Sequence, residues 1–139
     1  MMRRAAWPGV LALAACATPP PPAPPAHAGG APLVGTEWRL EDLLGGGVID
    51  NSHVTLKLES DGAGGGTGGC NRYFTSWKSQ GDRLTLGKGG STLMACAPAL
   101  MNQEGKYLRA LEAARSYAFT PDGALVIATA QGALKFRRD

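Results

Sequence analysis

From Leu33 onward, apolar and polar residues mostly alternate with a period of two. "TEWRLEDLL" sets Trp38 and Leu40 on one face, "HVTLKLE" does the same with Val54, Leu56 and Leu58, and "DRLTLG" with Leu84 and Leu86. That period is the pleat of a strand with one buried face. "SYAFTPDGALVIATAQGALKF" divides into three more short strands at Pro121-Asp122-Gly123 and Gln131-Gly132, both turn-forming sequences. One stretch changes the rhythm. "APALMNQEGKYLRALEAARS" puts Met101, Leu108, Leu111 and Arg115 at helical spacing, with Pro98 near its start, and predicts a helix over about 98–115. Gly105 inside that helix costs up to about 1 kcal/mol relative to alanine, which predicts either close packing there or a modest defect. The expected fold class is α+β, mainly antiparallel β.

The first thirty residues follow neither period. "MMRRAAWPGVLALAAC" has a positive start at Arg3 and Arg4, a short apolar run and small residues before Cys16. This is the pattern of an export signal, too short to span a bilayer as a permanent helix. "LAAC" ending at Cys16 resembles the bacterial lipobox, in which cleavage precedes a cysteine that carries a diacylglyceryl group. That resemblance implies a signal peptide over 1–15, a lipidated Cys16 as the first mature residue, and attachment to a membrane through several acyl chains. Ala17 stands where an aspartate would signal inner-membrane retention, so the expected location is the cell envelope, at the outer membrane facing the periplasm. "ATPPPPAPPAHAGGAP" then reads as a tether over 16–32, extended by its prolines and loosened by its glycines. His27 within it is a solvated linker residue. The folded domain is expected over 33–139.

Charge removes one class of partner. The whole chain carries 14 Lys and Arg against 11 Asp and Glu, and losing Arg3 and Arg4 with the signal leaves 12 against 11. A net charge this close to neutral gives nucleic acid no electrostatic footprint. "KFRRD" at the C-terminus reads as a short solvated end.

The stretch "DGAGGGTGGCNRYF" holds six glycines in fourteen residues. Gly64, Gly66 and Gly69 satisfy the letters of a dinucleotide-binding fingerprint, but "CNRYFTSW" offers no helix N-terminus to a pyrophosphate. The glycines are therefore expected to form a turn and to let backbone approach closely at Cys70. With Cys16 lipidated, Cys70 and Cys96 remain. In an oxidising compartment they are expected to bond, closing a loop that stabilises by about 3.5 kcal/mol on the chain-entropy model. Two buried free thiols that fill core volume are the alternative. A metal site is not expected, because only His53 joins these two cysteines and zinc needs three or four ligands.

"LVGTEWRLEDLLG", "GGCNRYF", "STLMAC" and "MNQEGKYLRAL", leading to "GALKFRR", resemble the META domain, also called the HslJ-like family. The residues that carry the match are Trp38, Gly69, Cys70, Asn71, Tyr73, Thr92, Met94 and Cys96. Thr75 and Trp77 depart from the pattern. The resemblance implies a small antiparallel, barrel-like sheet of about seven or eight strands with one helix and no established catalytic activity. Members occur as heat-shock or antibiotic-tolerance proteins and as envelope lipoproteins.

No catalytic constellation is visible: there is no G-x-S-x-G elbow and no phosphate loop, and "GKGGST" lacks the preceding glycine. Asp61, Asp82 and Asp122 sit in turn contexts. No cofactor is expected. The chain reads as a non-enzymatic module, anchored in the envelope, that binds a hydrophobic ligand or an envelope protein under stress or antibiotic challenge. A purely structural lipoprotein is the second reading and an enzyme of unknown type the third. A largely empty interior separates the first from the second.

Overall fold

The computed structural model describes Thr18 and residues 32–139. The candidate signal, Cys16 and the tether up to residue 31, Thr18 apart, lie outside the described residues. In chain order the elements are β1 (Glu37–Leu43), β2 (Thr55–Leu58), β3 (Ala63–Thr67), β4 (Arg72–Gln80), β5 (Arg83–Leu86), β6 (Gly90–Ser91), α1 (Pro98–Glu112), β7 (Ala114–Phe119), β8 (Leu125–Thr129) and β9 (Gly132–Arg138).

All pairings between these strands are antiparallel. Neighbours run β3-β2-β1-β9-β8-β7-β5-β4, and β3 also pairs with β4, which closes eight strands into a barrel. The ninth, β6, lies on the same edge of β4 as β5: Trp77 to Gln80 of β4 pair with β5, while Tyr73 and Phe74 pair with β6. Closure of this kind pairs most of the edge that another chain could otherwise extend.

The period-two faces point inward as their spacing dictates. Trp38, Leu56, Leu58, Leu84, Leu125, Ile127, Leu134 and Phe136 are fully buried and occupy the barrel interior. Trp38 also donates its indole Nε1–H to the Leu33 carbonyl at 3.3 Å. β1 keeps the alternation through Trp38 and Leu40, then shifts register against β9 between Leu40 and Asp42, so that Leu43 is the next residue to face the core. A bulge of this kind turns one side chain out of sequence. It frees Asp42 to accept hydrogen bonds from the Gly45 and Gly47 N–H groups at 2.6 and 3.0 Å.

The glycine-rich stretch differs from a turn. Gly62, at φ 88°, and Gly69, at φ 106°, have the positive φ that favours glycine, while Ala63–Thr67 between them form a strand between β2 and β4. Glycine is needed there for space: a Cβ at Gly66 would collide with the Thr55 carbonyl. The close approach expected of these glycines is therefore made strand to strand as well as at Cys70.

α1 ends at Glu112, three residues before the boundary its composition predicts. "EAARS" favours a helix locally, yet Ala114 and Ser116 pair with Thr129 and Ala128 of β8, with a register shift between them that leaves Arg115 out of the ladder. Tertiary pairing overrides propensity here. The buried face is also rotated from the expected stripe: Gln103, Glu104, Tyr107, Ala110 and Leu111 face the barrel, while Met101 is exposed.

One seam of the barrel is thin and positions the site. β5 meets β7 through the single register pair Arg83↔Ser116, supported by the Tyr117 N–H donating to the Asp82 carbonyl at 2.9 Å. Beyond that pair, residues 86–91 have β4 on one side and, among the described residues, no strand on the other, where the C-terminal half of α1 lies alongside.

Candidate functional site

The sequence after the glycines forms a polar clasp between α1 and the barrel. Glu104 projects from the second turn of the helix and is only 7% exposed. Its Oε2 accepts the backbone N–H groups of Cys70 and Asn71 at 3.1 and 2.6 Å, and its Oε1 accepts Asn71 Nδ2–H at 2.8 Å. Asn71 faces the other way with its oxygen, where Oδ1 accepts the Met94 N–H at 2.6 Å and the Thr92 hydroxyl at 3.0 Å. One buried asparagine thus joins the helix to the segment before it. Gly68 leaves room for this: a Cβ there would lie 2.6 Å from Glu104 Cγ.

Cys70 and Cys96 are bonded, with Cα atoms 6.0 Å apart, so the segment before the helix is also joined covalently to the one that holds Asn71. The reading of two free thiols is set aside. Gln103 extends the clasp to the loop after β1, accepting the Ile49 N–H at 2.7 Å and donating to Ser52 Oγ at 3.0 Å. Deeper in, the Tyr73 and Tyr107 hydroxyls lie 2.8 Å apart and both reach the Thr55 carbonyl. Burial pushes both phenols up from their ordinary value. They stay protonated, and they serve as hydrogen-bond anchors for the helix.

Beside the clasp lies a cleft of about 210 Å³. Tyr73, Phe74 and Thr75 of β4 form one wall, Leu86 and residues 87–91 a second, and Leu108, Leu111 and Glu112 of α1 the third. Its lining mixes the apolar Phe74, Leu86, Leu108 and Leu111 with Tyr73, Thr75, Ser91 and Glu112, and among the described residues no histidine or cysteine lines it. Thr75, one of the departures from the family pattern, donates its hydroxyl to the Gly87 carbonyl at 2.6 Å and so fixes the second wall. Trp77, the other, donates Nε1–H to the Glu59 carbonyl at 2.8 Å, away from the cleft.

Large apolar groups stand exposed on this side of the molecule. Phe74 is 63% exposed at the cleft, and the chain leaving the wall at Ser91 carries Leu93, 94% exposed, and Met94. Leu93 gains nothing from the fold in that position. The disulfide and the Asn71 hydrogen bond to Met94 hold it there.

The residues singled out in the sequence fall into two groups. Gly69, Cys70, Asn71, Thr92, Met94 and Cys96 come together at the clasp, and Tyr73 stands between clasp and cleft. Trp38 is apart from them, in the barrel interior. Cys16 lies outside the described residues. Glu104, Gln103 and Tyr107 were missed, although their i, i+1, i+4 spacing with Leu111 one turn further marks a single helix face. Polar residues on that face disguised it as the solvent side.

A sequence profile of the META domain matches residues 31–139. The chain belongs to the META domain family. Two solved structures share the architecture, both determined by NMR. One, from Burkholderia xenovorans, is 26% identical with a TM-score of 0.61, over 85% of this chain and 98% of that one. The other is 24% identical with a TM-score of 0.60, over 74% of this chain and 88% of that one, and shows the fold alone. No curated protein matches the chain.

Proposed function

We propose that this META domain is a non-catalytic recognition module, carried on a lipidated Cys16 at the envelope, and that the cleft between β4, β6 and α1 receives an apolar group of an envelope protein. The observation that carries the reading is the cleft with Phe74 exposed in its wall and Leu93 and Met94 exposed on the segment that leaves it. An apolar surface that a fold holds in water, when it could be covered, marks a binding site. At about 210 Å³ the cleft is smaller than the roughly 300–1,000 Å³ of small-molecule pockets and fits one large side chain or the end of an acyl chain. A whole lipid would need the barrel interior, which Trp38, Phe136 and the leucines occupy.

A purely structural lipoprotein is the second reading, and the same filled interior favours it. Titration of the ¹⁵N-labelled protein with octyl glucoside below its micellar concentration separates the two. Recognition predicts saturable shifts at Thr75, Gly87, Gly90, Leu108 and Leu111; a structural role predicts none that saturate. The anchor has its own test, metabolic labelling with a clickable fatty acid. Label is expected on the parent and absent from Cys16→Ser, and equal labelling of both overturns the anchor without touching the cleft. Among the described residues no helix is long and apolar enough to cross a membrane.

A further inference from the structure

We infer that Glu37, His53 and Asp139 form a surface site for a divalent transition metal, with Zn²⁺ its best-suited occupant. The three come from separate segments: Glu37 opens β1, His53 precedes β2, and Asp139 follows β9. Each offers one ligand atom, and these atoms all lie within 4.8 Å of one another. A tetrahedral zinc with ligands at about 2.0–2.2 Å needs neighbouring ligand atoms roughly 3.4 Å apart. His53 Nε2 and Asp139 Oδ2 are already 3.7 Å apart. All three side chains are exposed, so the remaining distance is covered by rotation about their own bonds.

The backbone under the site is fixed by the barrel. The Asp139 N–H donates to the Glu37 carbonyl at 3.0 Å, Trp38 pairs with Arg138, and Val54 bridges to Gly68 beside His53. Two carboxylates are thereby brought to one end of the β1–β9 pair. Among the described residues, a local Lys or Arg makes a direct ion pair with only one of them, while Lys57 acts on Glu37 only through space. Arg39 Nε stands 3.8 Å from Asp139 Oδ1, whereas Lys57, opposite Glu37 in the β1–β2 register, makes its 2.9 Å ion pair with Glu59. Among the described residues Glu37 has no ion-pair partner within 4 Å.

The donor set selects the metal. One imidazole nitrogen with two carboxylate oxygens suits zinc and its first-row neighbours, while Ca²⁺ and Mg²⁺ favour all-oxygen shells. Three protein ligands leave a fourth position open to water. Because Asp139 closes the triad, an ion here would clamp the end of β9 onto β1 and the loop before β2. None of the three residues lines the cleft, and the site does not depend on it.

Isothermal titration of the full chain with ZnCl₂, run beside CaCl₂, tests the inference. The His27→Ala variant serves as the background, since the sequence holds two histidines. One equivalent of Zn²⁺ is expected to bind in the micromolar range, with no heat from Ca²⁺ and with protection from hydrogen exchange at residues 137–139. His53→Ala and Glu37→Gln, both at exposed positions, are expected to weaken binding at least tenfold while leaving the circular dichroism unchanged. No heat up to 200 μM Zn²⁺, or the same affinity in His53→Ala, overturns the site.

Discussion

Glu104→Ala should be among the most destabilising single changes in the domain. The carboxylate accepts three hydrogen bonds at 2.6–3.1 Å, two of them from backbone N–H groups that have no other acceptor in the clasp. Hydrogen bonds to a charged group contribute about 1.5–3 kcal/mol each, and stranded donors add their own desolvation, although such effects do not sum. We expect a loss of about 3–4 kcal/mol, a large part of the roughly 5–15 kcal/mol of a typical domain. Glu104→Gln keeps an oxygen for the two backbone donors but turns an amide NH₂ toward Asn71 Nδ2. Asn71 cannot flip to relieve this without losing Met94 N–H and the Thr92 hydroxyl, so a loss of about 2 kcal/mol follows. Urea unfolding of the oxidised protein, followed by tryptophan fluorescence, measures both. The same logic predicts coupling: Gly68→Ala, whose Cβ would lie 2.6 Å from Glu104 Cγ, should be costly in the parent and milder when Glu104 is alanine. Losses under about 0.5 kcal/mol in both Glu104 variants would refute the clasp as a source of stability, since that is the range of ordinary surface substitutions.

Three other outcomes are expected. Gly105→Ala should stabilise by up to about 1 kcal/mol, because the added Cβ meets only the mobile end of Arg109 at 3.2 Å; a drop in thermal midpoint would show hidden packing. Reducing Cys70–Cys96 should cost about 3.5 kcal/mol and raise hydrogen exchange across residues 92–97, and a reduced protein as stable as the oxidised one would contradict this. Asp122, bonded to Thr120 and then to Arg137, is held at about 2, below its usual 3.8. Its contribution is complete above pH 3.8 and fades as pH falls toward 2, so Asp122→Asn should flatten the stability profile in that window and an unchanged profile would contradict the pairing.

The barrel was legible in the sequence wherever one residue answered to one face. Trp38, Leu56, Leu58, Leu84 and Leu86 kept strict alternation and all face the core. β3 was not legible as a strand, because "AGGGT" has no side chains to show a period, and its need for glycine comes from the Thr55 carbonyl on another strand. The end of α1 was misplaced because Ala114 is held by Thr129, a partner fifteen positions away that helical spacing cannot see. At the site, the cysteines and Asn71 were legible as a motif. Glu104 was not, because a carboxylate becomes a buried acceptor only once the N–H groups of Cys70 and Asn71 are folded around it.

The central claim is that the cleft recognises an envelope protein, and cross-linking in living cells tests it most directly. A photoreactive benzoylphenylalanine is placed at Phe74, on the cleft, or at Lys78, exposed on the same strand but outside the cleft lining. A single defined adduct at position 74, absent at 78 and lost when Leu108→Glu puts a charge into the cleft wall, is the predicted result. No adduct at 74, or the same adducts at both positions, would contradict the account.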